Sequence, residues 1–437
     1  MNWGELWRGY VPLLLTFIGA QLILQVDLAM LSRLGEHATA ACIALLRIGL
    51  IDLILSMGVG AVASVVVSQA FRAGNVDAVV PQVLTVAALL GIATTGVGLL
   101  IYPRLVFWFI GSNEVSALVT GAIFWFALAA PFRLTGIAAI YAIHALGEGK
   151  SVVYWKLLEV GLKVLANWLL VFVLSLGFKG SYLATLLVSL LGCGWALNRL
   201  RQHAKVGFCM PKTAWVPDFL RQVGWEAQRL LSGQLFALLA FVLFASSWIA
   251  PLELPRLSAF SAATALMLFL FAPLAALLRT LAFQLAGASL PMMFSALKSL
   301  CWCGMPLLIL VAAGLYFCGD HLGQIVYAQR DSRWWSMLVA VLAISLPLRY
   351  LNNLQRTLLQ TRQEFAAVAR AESFTTWLIG LPLIIIGLVL DSPLIACSHL
   401  VLPELGCTMW LTWRYVLPLY RMSRVGAPEP VLLVQQT

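Results

Sequence analysis

The sequence predicts an all-α integral membrane protein of about twelve transmembrane helices. Of its 437 residues, 62% are hydrophobic and only 11% are charged, which is more apolar surface than a water-soluble fold can bury. The apolar residues form continuous runs of about twenty, the length of a helix that crosses the hydrocarbon core, and not the alternating pattern of a β-barrel. Both observations indicate that lipid surrounds most of the chain.

The apolar runs fall into two equal sets. In the first half we predict spans near residues 11–32, 41–67, 80–103, 115–141, 153–176 and 181–198. In the second half we predict spans near residues 226–250, 257–287, 299–318, 335–360, 373–390 and 393–418. The predicted domains are an amino-terminal six-helix bundle (1–200), a cytoplasmic linker (201–224) and a carboxy-terminal six-helix bundle with a short tail (225–437).

The formal net charge of +10 comes from positive residues in short connections between spans, and not from a basic surface that would bind nucleic acid. The longest polar stretch, between the two halves, holds Arg199, Arg201, Lys205, Lys212 and Arg221. Such a stretch is typical of the cytoplasmic side. Counting spans outward from it predicts a multi-pass protein of the inner membrane with both termini in the cytoplasm.

The two halves carry a faint internal repeat. Pro131-Phe132-Arg133 followed by Glu148 matches Pro347-Leu348-Arg349 followed by Glu364 at a constant offset. A second register pairs Arg8 and Gln21 with Arg221 and Gln234. Equal halves whose helices run in the same order predict two bundles related by a pseudo-two-fold axis along the membrane normal, with a substrate cleft between them.

Asp27 lies deep in the first predicted span, where a carboxylate is costly unless it has a partner or a task such as carrying a proton. In the fifth span Glu159, Lys163 and Asn167 recur four residues apart and share one helix face. Two interpretations stay open for these residues. Asp27 is either the coupling carboxylate, with Glu159 and Asn167 in support, or a structural hydrogen-bonding group, and Glu159 either faces a cavity or forms an intrahelical ion pair with Lys163.

The tenth predicted span carries a polar helical stripe that includes Arg349, Asn352 and Asn353. Such a polar stripe is expected to face the cleft, and its positive sign favours an anionic or zwitterionic substrate over an organic cation. The residues predicted to line the cleft are Gln21, Asp52, Lys163, Gln234, Arg349, Asn352 and Asn353.

Sequence signatures of other chemistry are missing. The chain has no nucleotide-binding loop, no Ser-His-Asp cluster and no helix with paired histidines. Its eight cysteines mostly lie in or near apolar runs, where they act as small hydrophobes. We therefore predict no catalytic residues, no metal site and no cofactor, and we do not expect an enzyme.

Four stretches of the first half resemble the multidrug and toxic compound extrusion (MATE) family. They read VDLAMLSRLGEHATAA after Pro12, then GVGAVASVVVSQAFRAGN, then FIGSNEV with Pro131, and finally HALGEGK with NWLLVFVLSLGFKGSYLAT. The family usually has Ser-Gln-x-x-Gly-Ala-Gly after the second span, whereas this chain has Arg72 within that motif. The motif that opens the sixth span is shortened here and runs from Gly177 to Thr185.

This resemblance implies a secondary active exporter of a drug, toxin or metabolite, working by alternating access within the wider superfamily of multidrug, oligosaccharidyl-lipid and polysaccharide transporters. It implies Asp27 as the coupling carboxylate, with H+ or Na+ as the coupling ion. In the second half Ser232 and Arg349 stand where some members have Glu and Asp, so the sodium site of that branch is not expected. The expected partners are a small-molecule substrate and the lipid bilayer, for a chain acting as a monomer.

Two alternatives stay open at this point. A flippase for a lipid-linked saccharide, from the same superfamily, would use cationic residues such as those around Arg349 to hold the headgroup. An integral-membrane enzyme would need an activated nucleophile near the interface, and the sequence offers no clear candidate.

Overall fold

The computed structural model describes residues 3–109, 113–204, 215–245, 254–327 and 332–425, with isolated positions in the gaps. Within these ranges the chain forms helices and turns and no strand, which confirms the all-α prediction. The chain divides between Ala227 and Gln228 into two compact units, called the amino unit and the carboxy unit below.

The amino unit contains eight helices and the first part of a ninth. They are α1 (Trp3–Leu31), α2 (Glu36–Ile48), α3 (Leu50–Arg72), α4 (Val76–Phe109), α5 (Asn113–Leu128), α6 (Ala130–Ala145), α7 (Gly149–Asn167), α8 (Gly177–Leu200) and α9 (Trp215–Ala245). A π-helical turn, Trp168–Val173, extends α7. Helices α5 and α6 meet at a bend of 46°, next to Pro131 in the first turn of α6. Proline fits there because the first helical turn has no intrahelical acceptor for its backbone N–H groups.

The carboxy unit continues from α9. Its helices are α10 (Leu254–Leu285), α11 (Leu290–Val326), α12 (Arg333–Thr361), α13 (Phe365–Thr375), α14 (Leu381–Val389), α15 (Pro393–Cys397), α16 (Leu402–Leu411) and α17 (Leu417–Val425). Two π-helical turns, Thr376–Gly380 and Thr412–Val416, join α13 to α14 and α16 to α17. The fifth span of each unit therefore contains a π-helical turn, a feature often found near functional residues.

Ten helical segments of the described ranges are long and apolar enough to cross a membrane. The bent pair α5–α6 is also long and apolar enough when its two helices are taken together as one span. Helix α7 matches the fifth predicted span in position, but it carries too many charged side chains to be counted among these apolar segments. The described residues of each predicted span thus fall mainly on helix, and the prediction of about twelve spans is confirmed. Residues 246 and 248–250 of the seventh predicted span lie outside the described residues.

Helix α9 begins at Trp215, inside the stretch 201–224 that was predicted to be a linker. Trp215, Phe219 and Val223 recur four residues apart and are all buried. This face packs within the amino unit, where a Cβ added to Gly58 would lie 3.3 Å from the Val223 carbonyl oxygen. The intervening charged residues hide this short amphipathic stretch from a reading based on apolar runs.

Small residues allow close helix packing in the amino unit. Helix α3 is buried along most of its length, and a Cβ added to Gly60 would lie 2.7 Å from the Tyr141 ring of α6. On the opposite side of α6, Gly136 faces the backbone of Cys193 in α8. Helices in lipid associate through such close contacts because apolar burial alone gives them little advantage.

Candidate functional site

Asp27 of α1 lies at the centre of a polar cluster with α7 and α8. The side-chain amide of Asn167 donates to Asp27 Oδ1 at 2.7 Å, and the Lys163 ammonium lies 3.1 Å from the same oxygen. The Ser181 hydroxyl is a longer donor, at 3.5 Å. The Lys163 side chain is 2% exposed and that of Asp27 is 20% exposed. We call these residues, with Thr185, the Asp27 cluster.

Lys163 makes two further contacts, both to α8. Its ammonium donates to the Ser181 carbonyl oxygen at 2.9 Å and to the Thr185 hydroxyl at 2.5 Å. An ammonium has three N–H donors, so Asp27 and these two acceptors satisfy all of them. A buried charge is tolerated when it is both paired and hydrogen-bonded in this way.

The start of α8 brings Ser181 and Thr185 to Lys163. Gly180 makes this approach possible, because a Cβ at that position would lie 2.8 Å from the Leu170 carbonyl oxygen in the π-helical turn after α7. The same carbonyl oxygen accepts a hydrogen bond from the Leu176 backbone N–H at 3.0 Å. The close approach to the π-helical turn therefore explains why a glycine stands at position 180, in the motif that opens the sixth span.

Replacing Gly180 by Ala is expected to separate the start of α8 from the π-helical turn and to loosen the Asp27 cluster. Overpacking of this kind costs about 1–3 kcal/mol. Thermal unfolding of the purified protein in detergent measures the loss. Gly194→Ala is the matched control on the same helix, because a Cβ there meets no atom of the described residues within 4 Å. Equal unfolding temperatures for the two variants would contradict this account of Gly180.

Glu159 is not part of the Asp27 cluster. Its carboxylate pairs with Lys156 at 2.7 Å, on the same helix and three residues away. The interpretation of an intrahelical Glu159–Lys163 pair is therefore wrong, because Lys163 reaches across to α1 and α8 instead. Asn167, which was predicted to support Asp27, does contact it.

Asp52 of α3 is buried and pairs with Arg133 of α6, whose guanidinium lies 2.6 Å from Asp52 Oδ2. Arg133 also donates to the Phe126 carbonyl oxygen at 3.1 Å and lies over the Phe126 ring. The charge of Asp52 is thus paired inside the amino unit by a helix-to-helix contact through Oδ2, while its buried Oδ1 has no hydrogen-bond partner among the described residues.

The carboxy unit has a matching pair at the repeated arginine. Arg349 of α12 lies 3.1 Å from Glu404 of α16 and stacks over Phe271 of α10 at 4.3 Å. The Asn352 amide donates to the other Glu404 oxygen at 2.7 Å. Two residues of the predicted stripe therefore converge on one carboxylate.

A second carboxylate, Glu372 of α13, extends this network. It pairs with Arg356 and, at 2.9 Å, with Arg229 of α9. Arg356 also donates to the Asn353 side chain and lies 4.0 Å from Glu404. We call the charged members the Glu404 cluster: Arg229, Arg349, Arg356, Glu372 and Glu404.

Sequence reasoning overlooked Glu372 and Glu404. Glu404 interrupts the apolar run of the twelfth predicted span, so the cost argument that singled out Asp27 applies to it as well. Glu372 lies one residue before the eleventh predicted span, beside Arg370, and looks there like a residue of a polar connection. Their two negative charges offset most of the positive charge of the three arginines. The substrate preference predicted from the positive stripe therefore has much weaker support than the sequence alone suggests.

Two further residues, Gln21 and Gln234, were predicted to line the cleft. Gln234 is exposed on α9, and Gln21 lies in α1 with its side chain outside the described residues.

The chain is similar to known proteins in part of its sequence and in its fold. The MatE family model matches residues 12–169, and no curated protein sequence matches the chain. The Vibrio cholerae MATE transporter VcmN in its bent form has a TM-score of 0.85 at 16% identity, covering 97% of this chain and 98% of that chain. A Pyrococcus furiosus MOP superfamily transporter, described as having a binding pocket of reverse polarity, has a TM-score of 0.80 at 14% identity, covering 97% and 96%. At these identities the similarity establishes the fold alone.

Proposed function

We propose that this chain, which has the fold of MATE transporters and matches the MatE family over residues 12–169, is a secondary active exporter of small molecules. The proposal goes beyond a multi-pass membrane transporter by specifying ion-driven antiport and alternating access. The observation that carries it is the Asp27 cluster, since Asp27, Lys163 and Asn167 all lie inside the segment that matches the family.

The proposed coupling step is binding of a proton to Asp27. Neutralising that carboxylate removes the counter-ion of Lys163 and weakens the contacts that hold α1 against α7 and α8. A ligand that changes these contacts shifts the equilibrium between conformations of the unit. Release of the proton restores the ion pair, so the site can be charged and discharged in each cycle.

Asn167 suits both protonation states of Asp27. Its amide nitrogen donates to the carboxylate, and its buried Oδ1 has no hydrogen-bond partner among the described residues. A side-chain amide carries both a donor and an acceptor, so after rotation it can accept a hydrogen bond from a protonated Asp27. This dual capacity supports Asn167 as a positioning residue.

Reconstituted proteoliposomes test the proposed function. We expect an imposed pH gradient to drive uptake or release of dyes and metabolites typical of multidrug efflux, and a sodium gradient at constant pH to drive none. Transport that ignores both gradients would contradict secondary active export.

We further propose that the protein acts as a monomer in the inner membrane with both termini in the cytoplasm. The support for the cytoplasmic termini is the density of Lys and Arg between the two halves. A single cysteine introduced at residue 205, in a variant without the native cysteines, is expected to resist an impermeant thiol reagent added to intact cells. Labelling of this cysteine from outside the cell would contradict the proposed topology.

A flippase for a lipid-linked saccharide is the second candidate. The observation that favours it is the Glu404 cluster, in which three arginines face two carboxylates and leave a net positive charge for an anionic headgroup. Gradient-independent movement of a lipid-linked saccharide across the vesicle bilayer, with no transport of soluble dyes, would favour this candidate over export.

A further inference from the structure

The ammonium of Lys163 lies among three oxygen atoms of kinds that also bind metal cations. It is buried and has three oxygen atoms around it, from Asp27, Ser181 and Thr185, at 3.1, 2.9 and 2.5 Å. One carboxylate, one backbone carbonyl and one hydroxyl are hard oxygen ligands of the kind that alkali and alkaline-earth cations prefer. The Lys163 side chain thus places a positively charged group among three oxygen atoms.

We propose that Lys163 is a tethered substitute for a metal cation, so that the Asp27 cluster accepts protons but not sodium. This inference deepens the proposed function and rests on it, because it identifies the coupling ion. A metal cation and the Lys163 ammonium cannot share these oxygen atoms, since both carry a positive charge and need the same ligands. The tether keeps the ammonium in place at any sodium concentration, whereas a proton can still bind Asp27 and be released.

The other lysine of α7 supplies a built-in comparison. Lys156 pairs with Glu159 within the helix. Among the described residues, the ion pair of Asp27 is formed by Lys163 and not by Lys156. A substitution at Lys156 therefore removes a positive charge from the same helix without opening the oxygen ligands. Lys163→Ala opens them, while Lys163→Met removes the charge and fills the space with an apolar side chain of similar length.

The test measures thermal unfolding of purified protein in detergent, in sodium chloride and in choline chloride at equal ionic strength. A ligand that binds only the folded state raises the unfolding temperature with its concentration. We expect the wild type, Lys156→Ala and Lys163→Met to show no difference between the two salts. We expect Lys163→Ala to unfold at a higher temperature in sodium chloride, and Lys163→Ala combined with Asp27→Asn to lose that difference.

Two results would overturn the proposal. One is a sodium-specific rise in the wild type that disappears in Asp27→Asn, because a metal would then already share the site. The other is a folded Lys163→Ala that responds equally to both salts. If Lys163→Ala does not fold in either salt, the wild-type comparison decides. These measurements need no transport, so their outcome stays separate from a failure of the proposed export function.

Discussion

Asp27→Asn is expected to abolish transport driven by a pH gradient. Asparagine is close in shape to aspartate but cannot take up and release a proton, so the coupling step is lost. It also leaves the Lys163 ammonium without its counter-ion in a buried site. Breaking a buried pair by removing one partner costs about 3–5 kcal/mol, so we also expect a lower unfolding temperature.

A double variant separates these two effects. Asp27→Asn combined with Lys163→Met removes both charges, so it should recover most of the lost stability without recovering transport. Glu36→Gln is the control for loss of a carboxylate, because Glu36 is exposed at the start of α2. Proteoliposome transport and thermal unfolding are measured on the same preparations. Wild-type rates in Asp27→Asn, with the same dependence on the pH gradient, would make Asp27 a structural residue.

Glu404→Ala is expected to cause the largest loss of stability in the carboxy unit. The substitution leaves Arg349 without its carboxylate, takes the acceptor from Asn352 and removes a second negative charge from near Arg356. The Glu404 side chain is 13% exposed, so water replaces these contacts only in part. We expect the free energy of unfolding to fall by about 3 kcal/mol or more.

A double-mutant cycle with Arg349→Ala isolates the pair itself. We expect a coupling energy between Arg349 and Glu404 within the range of about 0.5–3 kcal/mol found for contacting residues. Glu364→Ala serves as the control, because Glu364 is exposed before α13 and its side chain caps no helix. If Glu404→Ala and Glu364→Ala unfold at the same temperature, the Glu404 cluster is solvated and does not hold the unit together.

The sequence by itself determined the fold class and the approximate number of spans, and it singled out Asp27 as a candidate functional residue. These follow from properties that are local in the chain. A run of about twenty apolar residues has few options other than a membrane helix, and a carboxylate inside such a run needs a partner wherever the helix packs. Helical spacing also put Lys163 and Asn167 on one face. For this reason the sequence alone identified Asn167 as a candidate neighbour of Asp27.

Only the tertiary structure decided which charges meet. Lys163 was within helical reach of Glu159, but its long flexible side chain pairs across helices with Asp27. The sequence predicted an unpaired positive stripe at Arg349. In the structure Glu404, more than fifty residues later in the chain, packs against it and pairs with Arg349. Helical periodicity gives the direction of a side chain around its own helix but not the neighbouring helix it faces. Since an ion pair depends on both partners, its identity is fixed only when the helices pack.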